Sequence, residues 1–274
     1  MPEKLYGLIL TARISIVFAL LSLSLYQAGC YKESPERLYT EAEDLWGKGR
    51  YIEAVKRFLQ LIEGFPESPL VNDSLYRLGE IYYLNLGDGR KGIKYFYEVS
   101  RQGKKGKNSY NAQRYIAEIY DNTLNDYEQA IIEYHGLIND YDRVDMADKD
   151  QYRIAQCYLK KGDFEQAITE FDILKEEYPD SELIPDSHYQ KANALYILGR
   201  CNDAIAAYKA FLEEYPQNRY TIDAKFGIAT CLEEEEKLRK ALTIYEEIKE
   251  DYANKELLDM KIDRLKKRIK DKRW

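Results

Sequence analysis

Small and aromatic residues recur along this chain with a stride of 37 or 38 residues, and that stride constrains the fold more than any other feature. One small-residue column is Ala54, Gly92, Ala130, Ala167, Ala204 and Ala241. Four residues on stand Phe58, Phe96, Tyr134, Phe171, Tyr208 and Tyr245, and three beyond those Leu61, Val99, Leu137, Leu174, Phe211 and Ile248. The spacing i, i+4, i+7 puts each triplet on one face of a helix. A second small column, Ala42, Gly79, Ala117, Ala155, Ala192 and Ala229, marks a helix before each of these, with Leu45, Tyr82, Tyr120, Tyr158, Leu195 and Leu232 three residues later. Turn signals separate the two: Gly47-Lys48-Gly49, Gly87-Asp88-Gly89, Asn125-Asp126, Lys161-Gly162-Asp163 and Gly199-Arg200. Pro66, Pro179 and Pro216 stop three of the second helices, since proline cannot continue one. The repeating unit is a helix hairpin whose small columns allow close approach and whose aromatic column fills the space opposite.

The order small-x2-aromatic/Leu, turn, Ala-x3-aromatic, Pro resembles the tetratricopeptide repeat. It covers residues 35–254 in six copies: 35–68, 69–107, 108–144, 145–181, 182–218 and 219–254. The segment from Lys161 through Ala167, with Phe171 and Tyr178-Pro179, fits the family closely. The resemblance implies an all-α fold, a right-handed superhelix (α-solenoid) of about six hairpins closed by a capping helix over 255–274. The stride exceeds the family's usual length of about 34 residues. The extra residues are expected in linkers such as Tyr178-Pro179-Asp180-Ser181 and Tyr215-Pro216-Gln217-Asn218. Such linkers are similar to those of the cell-envelope branch of the family, the BamD-like lipoproteins of outer-membrane β-barrel assembly and the Tol–Pal-associated periplasmic repeat proteins.

The N-terminus carries an address. Ile14–Leu25 is an uncharged apolar run of 12 residues, preceded by Lys4 and Arg13 and followed by Gln27-Ala28-Gly29-Cys30. This has the layout of a secretory signal and is shorter than the roughly 20 residues a membrane span needs. Small residues before a cysteine resemble the lipobox of bacterial lipoproteins, which implies cleavage after residue 29, lipidation of Cys30 and a short tether over 30–34. Two other readings stay open: ordinary signal cleavage with an incidental Cys30, or an uncleaved Leu5–Leu25 anchor that would bury Arg13 at a cost of a few kcal/mol. Losing Glu3, Lys4 and Arg13, a net +1, takes the formal charge from −7 to −8. An acidic product argues against nucleic acid as partner.

Two segments depart from the pattern. The second repeat has Gly92 for alanine, and Gln102-Gly103-Lys104-Lys105-Gly106-Lys107 replaces Tyr-Pro, which reads either as a solvated loop or as a hinge or cationic docking loop. The tail carries Leu258, Ile262, Leu265 and Ile269 at helical spacing among Lys261, Arg264, Lys266, Lys267, Arg268, Lys270, Lys272 and Arg273. A repeat array needs a terminal cap with a polar outer face; the other reading is that the basic face, ending in Trp274, meets anionic lipid or an acidic partner.

Chemistry-bearing motifs are missing from the sequence. His135 and His188 lie far apart, no cysteine spacing matches a zinc site, and there is no phosphate loop, nucleophile elbow or dinucleotide fingerprint. Cys157 and Cys231 hold the same helix position two repeats apart, about 20 Å for helices packed 8–10 Å axis to axis, which is too far for a disulfide. Cys201 falls at an interhelix turn, and Glu233-Glu234-Glu235-Glu236 reads as a solvated turn. No catalytic residue, metal or cofactor is expected.

Binding is the remaining role. The first helices of the pairs are expected to line the concave side. Three residues before their small column stand Tyr39, Tyr76, Arg114, Tyr152, Tyr189 and Phe226; one after it Glu43, Glu80 and Glu118; four after it Trp46, Tyr83 and Tyr196. The rings serve either as core wedges between repeats or as a groove for an extended peptide or partner helix. The acidic row favours a basic or amide-rich partner. Together with the resemblance, these residues describe a lipid-anchored, non-enzymatic scaffold facing the periplasm from the outer membrane. Its partners would be envelope proteins or peptides of β-barrel assembly or, in the alternative, of Tol–Pal, division or secretion machinery; a peptidoglycan-acting enzyme is the distant third reading.

Overall fold

The computed structural model describes residues 33–101, 103, 108–141 and 144–271. Cys30 and the signal segment, the basic loop other than Gly103, and Trp274 lie outside them. Thirteen helices in chain order make up the described residues, and no strand occurs among them. The chain divides into two compact units between Gly87 and Asp88, inside what the sequence reads as the second hairpin. The first unit holds α1 (Pro35–Gly47), α2 (Tyr51–Gly64) and α3 (Leu70–Glu80). The second holds α4 (Gly89–Arg101), α5 (Ser109–Ile119), α6 (Tyr127–Asp140), α7 (Val144–Lys161), α8 (Phe164–Glu177), α9 (Ile184–Ile197), α10 (Cys201–Glu214), α11 (Thr221–Glu234), α12 (Leu238–Glu247) and α13 (Lys255–Asp271). Within each unit every helix packs on its chain neighbour.

The columns read from sequence are the core. Every member of both small columns, of the aromatic column and of the aliphatic column three residues beyond it is buried. At the Tyr208 ring the fit is tight enough that a Cβ on Gly227 would fall 2.6 Å from its Cζ. The turn between paired helices is equally regular. One residue of it has left-handed backbone in all six repeats: Gly49 (φ 73°), Gly87 (67°), Asn125 (53°), Gly162 (83°), Gly199 (73°) and Glu236 (60°). Glycine and asparagine tolerate that conformation, whereas glutamate adopts it at a cost. The next helix is then capped by side chains where the sequence provides them. The carboxylates of Asp88, Asp126 and Asp163 accept from the backbone N–H of Lys91, Gln129 and Gln166 at 3.0, 3.2 and 3.4 Å.

The proline linkers also share one geometry. Phe65, Tyr178 and Tyr215 end their helices at φ/ψ of −138/60°, −132/58° and −129/61°. Ser68, Ser181 and Asn218 then turn the chain, their side-chain oxygens accepting from the N–H of Leu70, Leu183 and Tyr220 at 3.3, 3.2 and 2.9 Å. The "x-Ser/Asn" of the linker is thus a turn residue that starts the following helix.

One expectation needs correction. The distance from a second-helix small residue to the next first-helix one is 25 positions throughout, so the linkers cannot account for the change from 37 to 38. The extra residue lies inside the second and third hairpins, where the two columns are 13 apart instead of 12. In those two hairpins, and nowhere else among the described residues, the first helix ends in a five-residue π-helical turn, Ile81–Asn85 and Tyr120–Leu124. A single inserted residue widens one helical turn and leaves the flanking faces in register.

The tail helix α13 covers the residues one stride beyond α11. Leu258, Ile262 and Leu265 are buried against the last pair, and it takes the place of a further first helix. The four-glutamate run at the end of α11 is a solvated turn only in part: Glu234 and Glu236 are exposed, but Glu233 is only 5% exposed, and Lys261, Arg264 and Arg268 of α13 all reach it. The isolated first-helix acid is buried because a further helix covers it, which the local sequence does not reveal.

Candidate protein-binding face of the first helices

In the first unit, four of the predicted residues meet around one that the sequence reading passed over, Arg77. Its guanidinium lies 3.0 Å from Glu43 and 2.7 Å from Glu80, and 4.9 Å over the Trp46 ring. Burial works against that charge, but Glu80 and Glu43 hold it protonated. Trp46 Nε1–H donates to Asn85 Oδ1 at 2.8 Å, and Tyr39 sits edge-on to Phe58 at 5.5 Å. Tyr76 and Tyr83 are half-buried. Glu43 and Glu80 are therefore charge-matched from within instead of forming a free anionic stripe. Arg77 lies one position after Tyr76, so its position was visible; its aim across the helix pair was not.

In the second unit the same register runs through hairpins three to six. Arg114 pairs with Glu118 at 2.6 Å, and burial lifts Glu118 above the usual carboxylate range. Tyr152 is buried with its ring 5.8 Å from Phe171; Tyr189 stacks on Tyr220 at 4.3 Å and leans on Tyr208 and Phe211; Phe226 stacks on Tyr252 at 4.6 Å and leans on Tyr245. Tyr196 O–H donates to Glu234 at 2.8 Å. Tyr189 and Phe226 lie against the core ring of their own hairpin and a ring of the linker that follows it, yet stay half-buried. Each is a wedge with an accessible edge.

A cavity of about 440 Å³ is lined by α10, α11 and α12 near Lys209 and Thr243, and none of the predicted row lines it. Another of about 800 Å³ in the first unit is bordered by exposed ion pairs such as Arg57–Glu41 at 3.3 Å, and no predicted site residue lines it. A third, about 410 Å³, does lie on the row. Tyr152 and Tyr220 line it with Lys149, Arg153, Gln156 and Arg219. Arg219 stacks 4.6 Å from the Tyr220 ring and pairs with Asp186. Three exposed cations against one paired acid give this pocket a positive balance on an acidic protein. Lys149 and Arg153 are one turn apart on α7, a spacing that could have marked them. Arg219 comes from the linker before α11, so only folding places it here.

Three or more potential metal ligands do not cluster anywhere among the described residues. His188 is packed edge-on to Tyr215 at 5.8 Å, and burial lowers its proton affinity. None of the helices among the described residues is long and apolar enough to cross a membrane.

Comparison with known proteins agrees with the repeat. The family model YfiO, described as an outer membrane lipoprotein, matches residues 144–226, and two tetratricopeptide-repeat models match 39–107 and 223–255. No curated protein is similar enough to this chain to match it. Among solved structures, the C-terminal part of a tetratricopeptide repeat protein from Cytophaga hutchinsonii superposes with a TM-score of 0.62 at 18% identity, covering 94% of this chain and 98% of that one. A tetratricopeptide repeat protein from Parabacteroides merdae gives 0.53 at 18% identity, covering 78% of each chain. PilW, a type IV pilus biogenesis factor, gives 0.51 at 13% identity, covering 82% of this chain and 97% of its own. The chain is an all-α array of tetratricopeptide repeats that resembles the BamD-like lipoproteins.

Proposed function

We propose that this chain is a non-enzymatic scaffold, tethered through lipidated Cys30 to the periplasmic side of the outer membrane, that holds other envelope proteins through its first-helix face. The observation that carries this reading is a coincidence of position: every residue lining the cationic, tyrosine-walled cavity lies within the stretch, 144–226, that resembles the outer-membrane lipoprotein family. Cations on rigid aromatic walls suit a segment with acidic or carbonyl-rich side chains, because a stacked guanidinium keeps its fork oriented. The acids Glu43, Glu80 and Glu118 of the first three hairpins are paired with Arg77 and Arg114, which supports the cavity over the N-terminal half as the contact. The resemblance favours β-barrel assembly as the setting. The likeness in fold to a pilus biogenesis factor gives the second reading, assembly of a secretion or surface machine.

The test joins palmitate labelling with cross-linked affinity purification from the envelope. Labelling lost in Cys30→Ala and partner recovery reduced at least tenfold in Lys149→Glu/Arg153→Glu are the expected results. Undiminished recovery in that double variant removes the cavity from the reading; barrel-assembly or secretion components in the wild-type eluate decide between the settings.

A further inference from the structure

The fold brings Cys201 and Cys231 into one buried cluster. Cys201 opens α10 and Cys231 lies on α11, in the same buried cluster. Cys201 Sγ donates to Glu234 Oε2 at 3.3 Å, and Glu234 is one turn beyond Cys231 on α11. That contact places Cys201 against the helix face that carries Cys231, and the proton affinity of each thiol is shifted by the other. In sequence they look unrelated, one at a turn and one mid-helix. Cys157, in the third-to-fourth hairpin core, is in neither set of contacts. The Cys201 side opens on a cavity of about 510 Å³ lined by Gly199, Arg200, Asn202, Asp203, Glu234 and Glu235, so a small oxidant reaches one thiol and not the other.

We infer that Cys201 and Cys231 are a redox-active pair that closes to an intrachain disulfide, stapling the fifth hairpin to the sixth. The oxidant is a disulfide, either of a small thiol or of a thiol–disulfide exchange protein. The Cys201 thiolate attacks it, forming a mixed disulfide and releasing one thiolate. Cys231, after losing its proton, attacks the Cys201 sulfur and releases the second. In all, two thiols lose two electrons and two protons, and one external disulfide is reduced to two thiols. Burial raises the proton affinity of both thiols, and the Glu234 carboxylate adds to this, so closure quickens as pH rises from 7 to 9.

Glutathione disulfide on the purified full chain tests this, with the reaction quenched by alkylation and mapped by mass. Trypsin cuts after Arg200, Lys209, Lys225 and Lys237, so the pair falls on peptides 201–209 and 226–237. The expected product is those two peptides joined, 2 Da lighter than their sum, at one per chain in Cys157→Ser as in the wild type and absent in Cys201→Ser. Closure also raises the thermal midpoint of the wild-type chain by about 5–10 °C, reversed by dithiothreitol. Full alkylation of both residues after exposure at pH 9, or their recovery joined to Cys30, Cys157 or another chain, overturns the proposal. The wild-type map alone decides the matter if Cys201→Ser fails to fold. The result is independent of the scaffold reading, because it needs neither the anchor nor a partner.

Discussion

Asp121 in the third hairpin and Glu233 in the sixth occupy the same position of the repeat, four residues after the first-helix small column, and both are buried. Their surroundings differ. Asp121 Oδ1 accepts from Lys160 at 2.5 Å, while Oδ2 is buried without a hydrogen-bond partner. The Tyr134 hydroxyl of that hairpin is also buried without a partner. Glu233 is held by Lys261, Arg264 and Arg268, and it accepts from the hydroxyl of Tyr245, the counterpart of Tyr134, which also bonds Thr230 at 3.0 Å. An interior repeat gets a single cation from its successor. The sixth repeat gets a basic helix that brings three cations to Glu233, and the Tyr245 hydroxyl beside it is bonded as well. The lesson is that the basic tail closes the array and has three of its charges committed to that task.

The largest effect expected is at the better-satisfied acid. Glu233→Ala takes their shared acid from Lys261 and Arg264 and leaves Arg268 with Glu236 alone, and should cost about 3–4 kcal/mol and release α13, read as early amide exchange over 255–271. A loss under about 1 kcal/mol, with α13 still protected, would break the comparison. Asp150 sharpens it next. This buried acid on α7 receives only the Tyr110 hydroxyl at 3.3 Å, and burial pushes it up to about 6 from 3.8. Between those values the folded chain keeps a proton that the unfolded chain releases, so its contribution is complete below about 4 and is lost as pH rises through 6. Asp150→Asn should therefore gain about 2–3 kcal/mol at pH 7.5 and little at pH 4 in urea melts. Glu233 runs the other way: burial would raise it, but Lys261 and Arg264 pull it below 4.5, so its contribution is present above that value and lost as pH falls through the lowered one.

The tyrosine pair is predicted to differ in sign. Tyr245→Phe should destabilise by about 1 kcal/mol by removing bonds to Thr230 and Glu233, whereas Tyr134→Phe should be neutral or stabilising by up to about 1 kcal/mol, because it removes an unpaired buried hydroxyl. Equal losses in thermal melts would mean that the hairpins are equivalent. The smallest effect is at the sixth turn. Glu236→Gly should gain about 0.5–1 kcal/mol from relaxed backbone, against an exposed Arg268 pair at 2.6 Å worth less. A loss of stability there would show that the ion pair outweighs the strain.

Much of this fold was legible because its signals are local. Ala54, Phe58 and Leu61 lie on one face by spacing alone, and each buried column follows from that rule applied six times. The linkers were legible for the same reason, since proline ends a helix wherever it falls. The 38th residue was placed in the wrong segment because a π-helical turn leaves the same apolar faces as a longer loop. The candidate site was read in part. Tyr152, Tyr189 and Phe226 were located by register, but the rings stacked on Tyr189 and Phe226, Tyr220 and Tyr252, come from the linkers that follow their helix pairs. The acids Glu43 and Glu80 were found without Arg77, which neutralises them, because charge matching across helices has no fixed sequence separation.

By itself the sequence determined the helix hairpin, its stride and the identity of the buried columns, since these depend on periodicity and on residues that start or stop a helix. Only the tertiary structure decided which charges are matched, that Glu233 is interior, that Cys201 and Cys231 share one buried cluster, and that Arg219 joins Lys149 and Arg153 on one cavity. Those outcomes depend on side chains from different repeats converging in space, and the energy of a charge or a thiol is set by such neighbours and by how far water is kept from them.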